Sequence, residues 1–139
     1  MQFSTNIKGI KELDQLLQTL PQNLQRRAIK SGIVAMGRHF VLEMRKRAPE
    51  QSGGLKKSIK NRSGGRTRQN VVIEAPHWHL VEFGTTQRFH NSGKPTGRVS
   101  GTKFSFVRPT LFTESKPASN NFEIKLRAAI ERESKKLLR

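Results

Sequence analysis

The chain has 139 residues, of which 33% are hydrophobic and 27% are charged. This length is usual for one domain, and the apolar fraction allows one modest core. We therefore predict a single domain over residues 1–139. The sequence contains no cysteine, which excludes disulfide bonds, Cys-ligated zinc and a thiol nucleophile.

The charge is strongly positive, with 27 Lys and Arg against 10 Asp and Glu, a formal net charge of +17. Such a surface attracts anions, but net charge alone does not choose among nucleic acid, an anionic membrane and an acidic protein surface. No stretch approaches the ~20 apolar residues of a membrane span, and the first residues lack the pattern of a signal peptide. We expect a soluble protein that is made and used in a cytoplasm.

The first third of the chain predicts two helices. Between Gly9 and Leu20, apolar residues recur at steps of three and four, which is the spacing of one helical face. Pro21 interrupts this pattern, and a second apolar stripe then runs from Leu24 to Ala48. We predict a short amphipathic helix followed by a long central helix.

The middle of the chain predicts extended structure. Leu55–Arg62 carries a weak alternating pattern, Val71–Ile73 is a β-branched run, and Trp78–Phe83 forms a further extended segment that stops at a glycine. Phe104–Val107 offers one more short strand. Together these segments predict a small antiparallel sheet of three to four strands.

The end of the chain predicts a further helix. Pro109 is placed to start a helical turn, whereas Pro117 predicts that the main C-terminal helix begins later, around Phe122. The order of helix, helix, sheet and helix lacks strict alternation. It therefore predicts an α+β fold in which helices cover one face of an antiparallel sheet.

Two segments combine positive charge with an absence of acidic residues, and they predict flexible basic loops at about residues 60–70 and 85–103. Cationic side chains on such loops suit either the phosphates of DNA or acidic patches on neighbouring proteins, and the pattern does not choose between these partners. The candidate contact residues are Lys56, Lys57, Lys60, Arg62, Arg66, Arg68, Arg88, Lys94, Arg98 and Lys103.

No segment predicts a catalytic or cofactor site. His77 and His79 share one face of a predicted strand, but the two-residue period places Glu82 on the opposite face, which argues against a metal site. The chain has no nucleophile-elbow, zinc-protease or phosphate-binding glycine motif. We predict that the protein is not an enzyme and that it carries no cofactor and no metal.

Three stretches together resemble the neck or tail-completion family of lambda-like siphophages. Ile7–Leu13 and Gly53–Ile59 are similar to the opening of that family and to its G-x-L-x-x-S-I segment. His79–Thr85 contains V-E-F-G-T, the most recognisable piece of the family. Phe104–Leu111 is similar to the entry into the family's final helix.

The resemblance implies a structural virion protein in the neck, assembled in the host cytoplasm. Such a protein completes the tail and attaches it to the head connector. The implied partners are further copies of itself in a ring, with six copies favoured by the symmetry of the tail, the head connector or stopper, and the tail terminator or tail tube. Packaged DNA backbone is a further partner that the charge allows, and a membrane is not expected.

The same motifs predict an interface with other subunits or partners. Gly84 permits a turn that a side chain would hinder, Pro109 suits a helix start, and Glu82 is expected to pair with Arg108 or with a neighbouring subunit. The predicted interface residues are Glu82, Phe83, Gly84, Thr85, Phe89, Arg108 and Pro109. The alternative function is a free-standing nucleic-acid-binding protein without sequence specificity, for which the net charge is the main argument.

Overall fold

The structure, a computed structural model, describes residues 9–50, 53–84, 88–89, 91–96 and 105–137. Within these ranges it contains five helices and four short strands. In chain order they are α1 (Ile10–Gln18), α2 (Gln22–Arg47), α3 (Gly54–Ser58), β1 (Ile59–Ser63), β2 (Gln69–Ile73), α4 (Trp78–Phe83), β3 (Arg88–Phe89), β4 (Pro95–Thr96) and α5 (Val107–Leu137).

Helices α2 and α5 form the main packing layer of the fold and run antiparallel. Ala28 near the start of α2 packs with Leu126 and Ile130 towards the end of α5, whereas Arg47 at the end of α2 reaches Glu114 near the start of α5. The pairing is close because Gly32 is buried on α2: a Cβ there would lie 2.7 Å from a ring carbon of Phe122. This glycine lets the two helices approach.

The core has two parts, one towards each end of the α2–α5 layer. The first joins α1 to α2 and α5 and includes Leu13 and Leu20. The second lies between the end of α2, α3, β1 and the residues that precede α5, and its fully buried members include Ile59 and Phe106. The two predicted N-terminal helices are therefore confirmed, and each helps to bury a part of the core.

The α+β class is confirmed, but one sheet of three to four strands is not. In the part of the chain that the structure describes, β1 and β2 form an antiparallel two-stranded sheet with Ile59 opposite Ile73. A separate two-residue ladder pairs β3 with β4. The weak strand predicted over Leu55–Arg62 is half right, since its first residues form α3 and the strand begins at Ile59.

Two predictions about the second half of the chain are wrong. Trp78–Phe83 is the helix α4, and the backbone N–H of Gly84 closes it by donating to the carbonyl oxygen of Leu80 at 2.9 Å. The C-terminal helix begins at Val107 and not around Phe122, and α5 continues through Pro117. Of the strand predicted over Phe104–Val107, Val107 is helical and Phe104 lies outside the described residues. Buried residues lie on both sides of the proline, and their packing outweighs the ~3 kcal/mol that an internal proline costs a helix.

Candidate assembly interface

The carboxylate of Glu82 caps the start of α5. Its Oε2 accepts hydrogen bonds from the backbone N–H groups of Phe106 and Val107, and its Oε1 accepts one from Arg108, each at 2.9 Å. The next residue, Pro109, has no N–H to satisfy. The free donors that a helix leaves in its first turn are therefore bound by one anion, which also lies at the positive end of the helix dipole.

This contact corrects the expected role of Glu82. The side chain is only 2% exposed, so its carboxylate is not presented to a neighbouring subunit. It does contact Arg108, but through the backbone N–H of that residue and not through the guanidinium. A residue expected to lie at an interface thus joins α4 to α5 within the chain.

Gly84 ends α4 two residues after Glu82. Its φ of 80° lies in the left-handed region that favours glycine, which confirms the predicted turn. The predicted role of Pro109 as a helix start is also consistent with the structure. It lies in the first turn of α5, where a missing N–H removes no bond within the helix.

An aromatic–arginine patch lies next to the cap and comprises Trp78, Phe83, Arg108 and Phe112. Trp78 is half-buried against the core, and the other three side chains are exposed. The guanidinium of Arg108 lies 4.7 Å from the centre of the Phe83 ring, and the Trp78 ring centre lies 6.4 Å from it. Phe83 is 54% exposed and Phe112 is 59% exposed. Arg108 and Phe112 are four residues apart on α5 and therefore share one face. Exposed aromatic and arginine side chains of this kind are enriched at protein interfaces.

The remaining predicted interface residues lie after Gly84. Phe89 pairs with Pro95 in the β3–β4 ladder and is 65% exposed, so its ring is available for a contact. Thr85 lies outside the described residues. The short ladder occupies part of the segment that the sequence predicted as one long loop.

A protein-family model matches residues 11–84, which is more than half of the chain, and its description is "Bacteriophage HK97-gp10, putative tail-component". The chain belongs to this family. Comparisons with curated proteins and with solved structures gave no match. Membership gives the chain a structural role as a component of a phage tail and confirms the resemblance to tail and neck proteins.

The region that the family model matches includes the V-E-F-G segment, Val81–Gly84. It ends at Gly84 and so contains Glu82, while the three N–H groups that Glu82 binds lie beyond it. The second and third resembling stretches are therefore two sides of one contact, the cap that joins α4 to α5. The pairing of these stretches could not be seen in the sequence because 24 residues separate Glu82 from Phe106.

Half of the basic residues predicted around the first loop are neutralised within the chain. Lys60 and Arg62 on β1 both pair with Glu74, and Lys56 pairs with Glu50 at 2.7 Å. The hydrogen bond from Lys60 is the largest factor that lowers the pKa of Glu74, and the bond from Lys56 does the same for Glu50. These cations are less available to DNA or to a neighbouring protein than the sequence indicated.

The other half carry no ion pair in the part of the chain that the structure describes. Arg66 and Arg68 lie at the exposed tip of the β1–β2 hairpin, and Lys57 is exposed on α3. Lys94 is exposed between β3 and β4. For Arg88 only the backbone is described, in β3, while Arg98 and Lys103 lie outside the described residues.

The histidines do not form a metal site in the described ranges. His77 and His79 lie at the start of α4, so the strand geometry used to compare their faces with that of Glu82 does not apply. No group of three or more metal-ligating side chains comes together in the part of the chain that is described. Within the same ranges, no helix has the length and apolarity that crossing a bilayer requires.

Proposed function

We propose that this tail component sits in the neck, where it completes the tail and joins it to the head connector. The observation that carries the proposal is the exposed aromatic–arginine patch, which stands on a helix start held rigid by Glu82. A joining protein acts by fit, and a preorganised patch lowers the entropic cost of docking. Two parts of the V-E-F-G segment thus have different roles, since Glu82 fixes the scaffold and Phe83 faces the partner.

The interface we propose comprises Phe83, Gly84, Thr85, Phe89, Arg108 and Pro109, with Glu82 supporting it from within. Its partners are neighbouring copies in a ring, for which we favour six, and the head connector or stopper and tail terminator or tail tube on either side. Contacts around a virion axis are heterologous and close into rings, which suits one exposed patch per copy.

Electron microscopy of a phage with an amber codon in this gene tests the proposal. Without suppression we expect filled heads beside separate tails, and wild-type protein supplied in trans should restore joined particles. Complementation with Phe83→Ala combined with Arg108→Glu should leave heads and tails apart. Ile124→Ala combined with Lys135→Glu, which changes an exposed apolar and an exposed basic residue elsewhere on α5, is the matched control and should restore joining. Joined, infectious particles without the protein would rule out the neck role.

The second candidate is a free-standing nucleic-acid-binding protein. The observation that favours it is the unpaired charge of Arg66 and Arg68 at the hairpin tip. It predicts DNA affinity that falls steeply with salt in the isolated protein, because phosphate contacts release counterions. The neck proposal predicts weak DNA binding by the isolated chain.

A further inference from the structure

A groove of about 380 Å³ runs between α2 and α5, on a surface separate from the aromatic–arginine patch. Its α2 wall follows one helical face from Arg27 to Arg38, with spacings of three and four residues. The eleven helical steps from Arg27 to Arg38, at about 1.5 Å each, give a length of roughly 16 Å, which matches about five residues of extended peptide. The groove is lined by Arg27, Lys30, Val34, Ala35, Arg38 and Lys125, with Ser31 between them.

The four cations of the groove are uncompensated. Arg27, Lys30, Arg38 and Lys125 are exposed, and none has an ion pair with any residue that the structure describes. By contrast, Arg47, Arg127 and Lys136 each bind a carboxylate of the same chain. Positive charge that is left unpaired in a concave site raises the local concentration of anions.

The floor of the groove is apolar. Val34 and Ala35 are half-buried between the charged walls. Gly32 lies buried on the same helix against Phe122, so close packing between α2 and α5 holds the helix that carries the floor. A site with an apolar floor and basic walls fits a ligand that carries both acidic and apolar groups.

These features favour an acidic peptide over nucleic acid. Among the described residues, the lining contains no aromatic side chain on which a base could stack. A duplex would meet protruding cations and leave an apolar floor uncovered, since its backbone presents only phosphate and sugar. The undescribed residues 1–8, 51–52, 85–87, 90, 97–104 and 138–139 include no acidic residue, so none of these segments supplies the carboxylates.

We infer that the α2–α5 groove binds an acidic segment of a partner protein, about five residues long, whose carboxylates pair with the four cations while its apolar side chains cover Val34 and Ala35. The inference adds a second contact surface and the chemistry of its ligand. It does not depend on where in the tail the protein sits.

Fluorescence anisotropy of the purified protein with a short labelled peptide of alternating Glu and Leu tests the inference. The comparison probes are a Gln–Leu peptide, a Glu–Ser peptide and a single-stranded oligonucleotide. The test variant is Lys30→Glu combined with Arg38→Glu. The matched control is Arg66→Glu combined with Arg68→Glu, which changes the net charge equally at another unpaired site. Circular dichroism establishes that both variants are folded.

We expect the groove variant to bind the Glu–Leu peptide about tenfold more weakly, while the hairpin variant stays within about twofold of wild type. The Gln–Leu and Glu–Ser peptides should both bind more weakly than Glu–Leu. The first lacks the carboxylates that pair with the cations, and the second lacks the apolar side chains that cover the floor. Equal losses in the two variants would show attraction by net charge and overturn the inference. So would groove-dependent binding that prefers the oligonucleotide. Because the assay involves no assembly, either failure leaves the neck proposal standing.

Discussion

The buried side chain of Glu82 joins α4 to α5 through backbone N–H groups at the start of α5. As one of few acids on a basic chain, it looked like a partner for a cation or for a neighbouring subunit. The structure instead uses it as a remote helix cap, bound to three successive N–H groups. A buried carboxylate needs such donors, because an unpaired buried charge costs several kcal/mol.

Replacing Glu82 by Gln should therefore destabilise the protein. The amide of glutamine keeps the shape of the side chain but carries no charge. Its NH₂ group cannot accept the hydrogen bonds that the backbone N–H groups donate to the carboxylate. We expect the free energy of unfolding to fall by about 1–3 kcal/mol, measured by chemical denaturation. Glu131→Gln, at an exposed carboxylate without an ion pair, is the control and should change stability by less than about 0.5 kcal/mol. Equal values for the two variants would contradict the capping role.

At the scale of elements, the fold depends on how closely α2 and α5 approach. The apolar stripe of α2 predicted the helix well, but a close contact with α5 is made by Gly32, which a search for apolar periodicity does not select. The polar contacts of the same layer are also long-range, since His39 binds Glu114 at 3.0 Å and Asn121 at 3.1 Å.

Gly32→Ala tests this approach. Alanine favours a helix by about 1 kcal/mol over glycine, but its Cβ would lie 2.7 Å from a carbon of the Phe122 ring. We expect the clash with Phe122 to outweigh the gain in helix propensity, with a net loss of about 1–3 kcal/mol in the free energy of unfolding. In a Phe122→Ala background the same substitution should cost less, because the clash is absent. A double-mutant cycle measures this coupling, and simple additivity would refute the close approach.

The bond between His39 and Glu114 gives α2–α5 packing a dependence on pH. That hydrogen bond is the largest factor that lowers the pKa of Glu114 below its ordinary value of 4.5. A carboxyl group whose pKa is lower in the folded state adds stability above its unfolded pKa and loses it as the pH falls through its folded pKa. Melting temperatures recorded below pH ~4.5 should therefore decline less steeply for Glu114→Gln than for wild type. Parallel declines would show that this bond does not contribute.

The helical spacing of apolar residues predicted α1 and α2 correctly. Local sequence patterns gave wrong predictions where a tertiary contact decides the structure. Trp78–Phe83 is six residues long, too short for its apolar spacing to separate a strand from a helix. Pro117 led to the prediction of a late helix start. The helix nevertheless continues through it, because buried residues pack on both sides of the proline. The interface role of Phe83, Gly84 and Arg108 stays a prediction from the sequence, whereas the cap could not be predicted without knowing that α4 meets α5.

At the scale of the whole molecule, ion pairs neutralise the positive charge on some surfaces and leave it exposed on others. Ion pairs neutralise Lys56, Lys60 and Arg62 near the first predicted loop. Cations at the hairpin tip and along the α2–α5 groove have no ion pair with a described residue. The molecule thus presents several distinct surfaces, as a protein with neighbours on more than one side requires.

The ring that we propose would involve the whole molecule, and its formation should depend on the aromatic–arginine patch. If the patch joins adjacent copies, Arg108→Glu should shift the protein from rings towards monomer in native mass spectrometry, because it removes the cation over Phe83 and reverses its charge. Lys135→Glu makes the same change of charge on the opposite face of α5 and should leave the ring population unchanged. A monomeric wild-type protein at all concentrations would instead require neighbouring virion proteins to form the ring.

The most direct test of the joining role is complementation in vitro. Purified protein is added to a lysate of the amber phage, which contains heads and tails made in its absence, and plaques are counted. The neck proposal predicts that infectious particles rise sharply with wild-type protein, and that Phe83→Ala combined with Arg108→Glu gives no rise. If wild-type protein restores no infectivity to a lysate whose heads and tails are otherwise competent to join, the protein does not act at the head–tail joint.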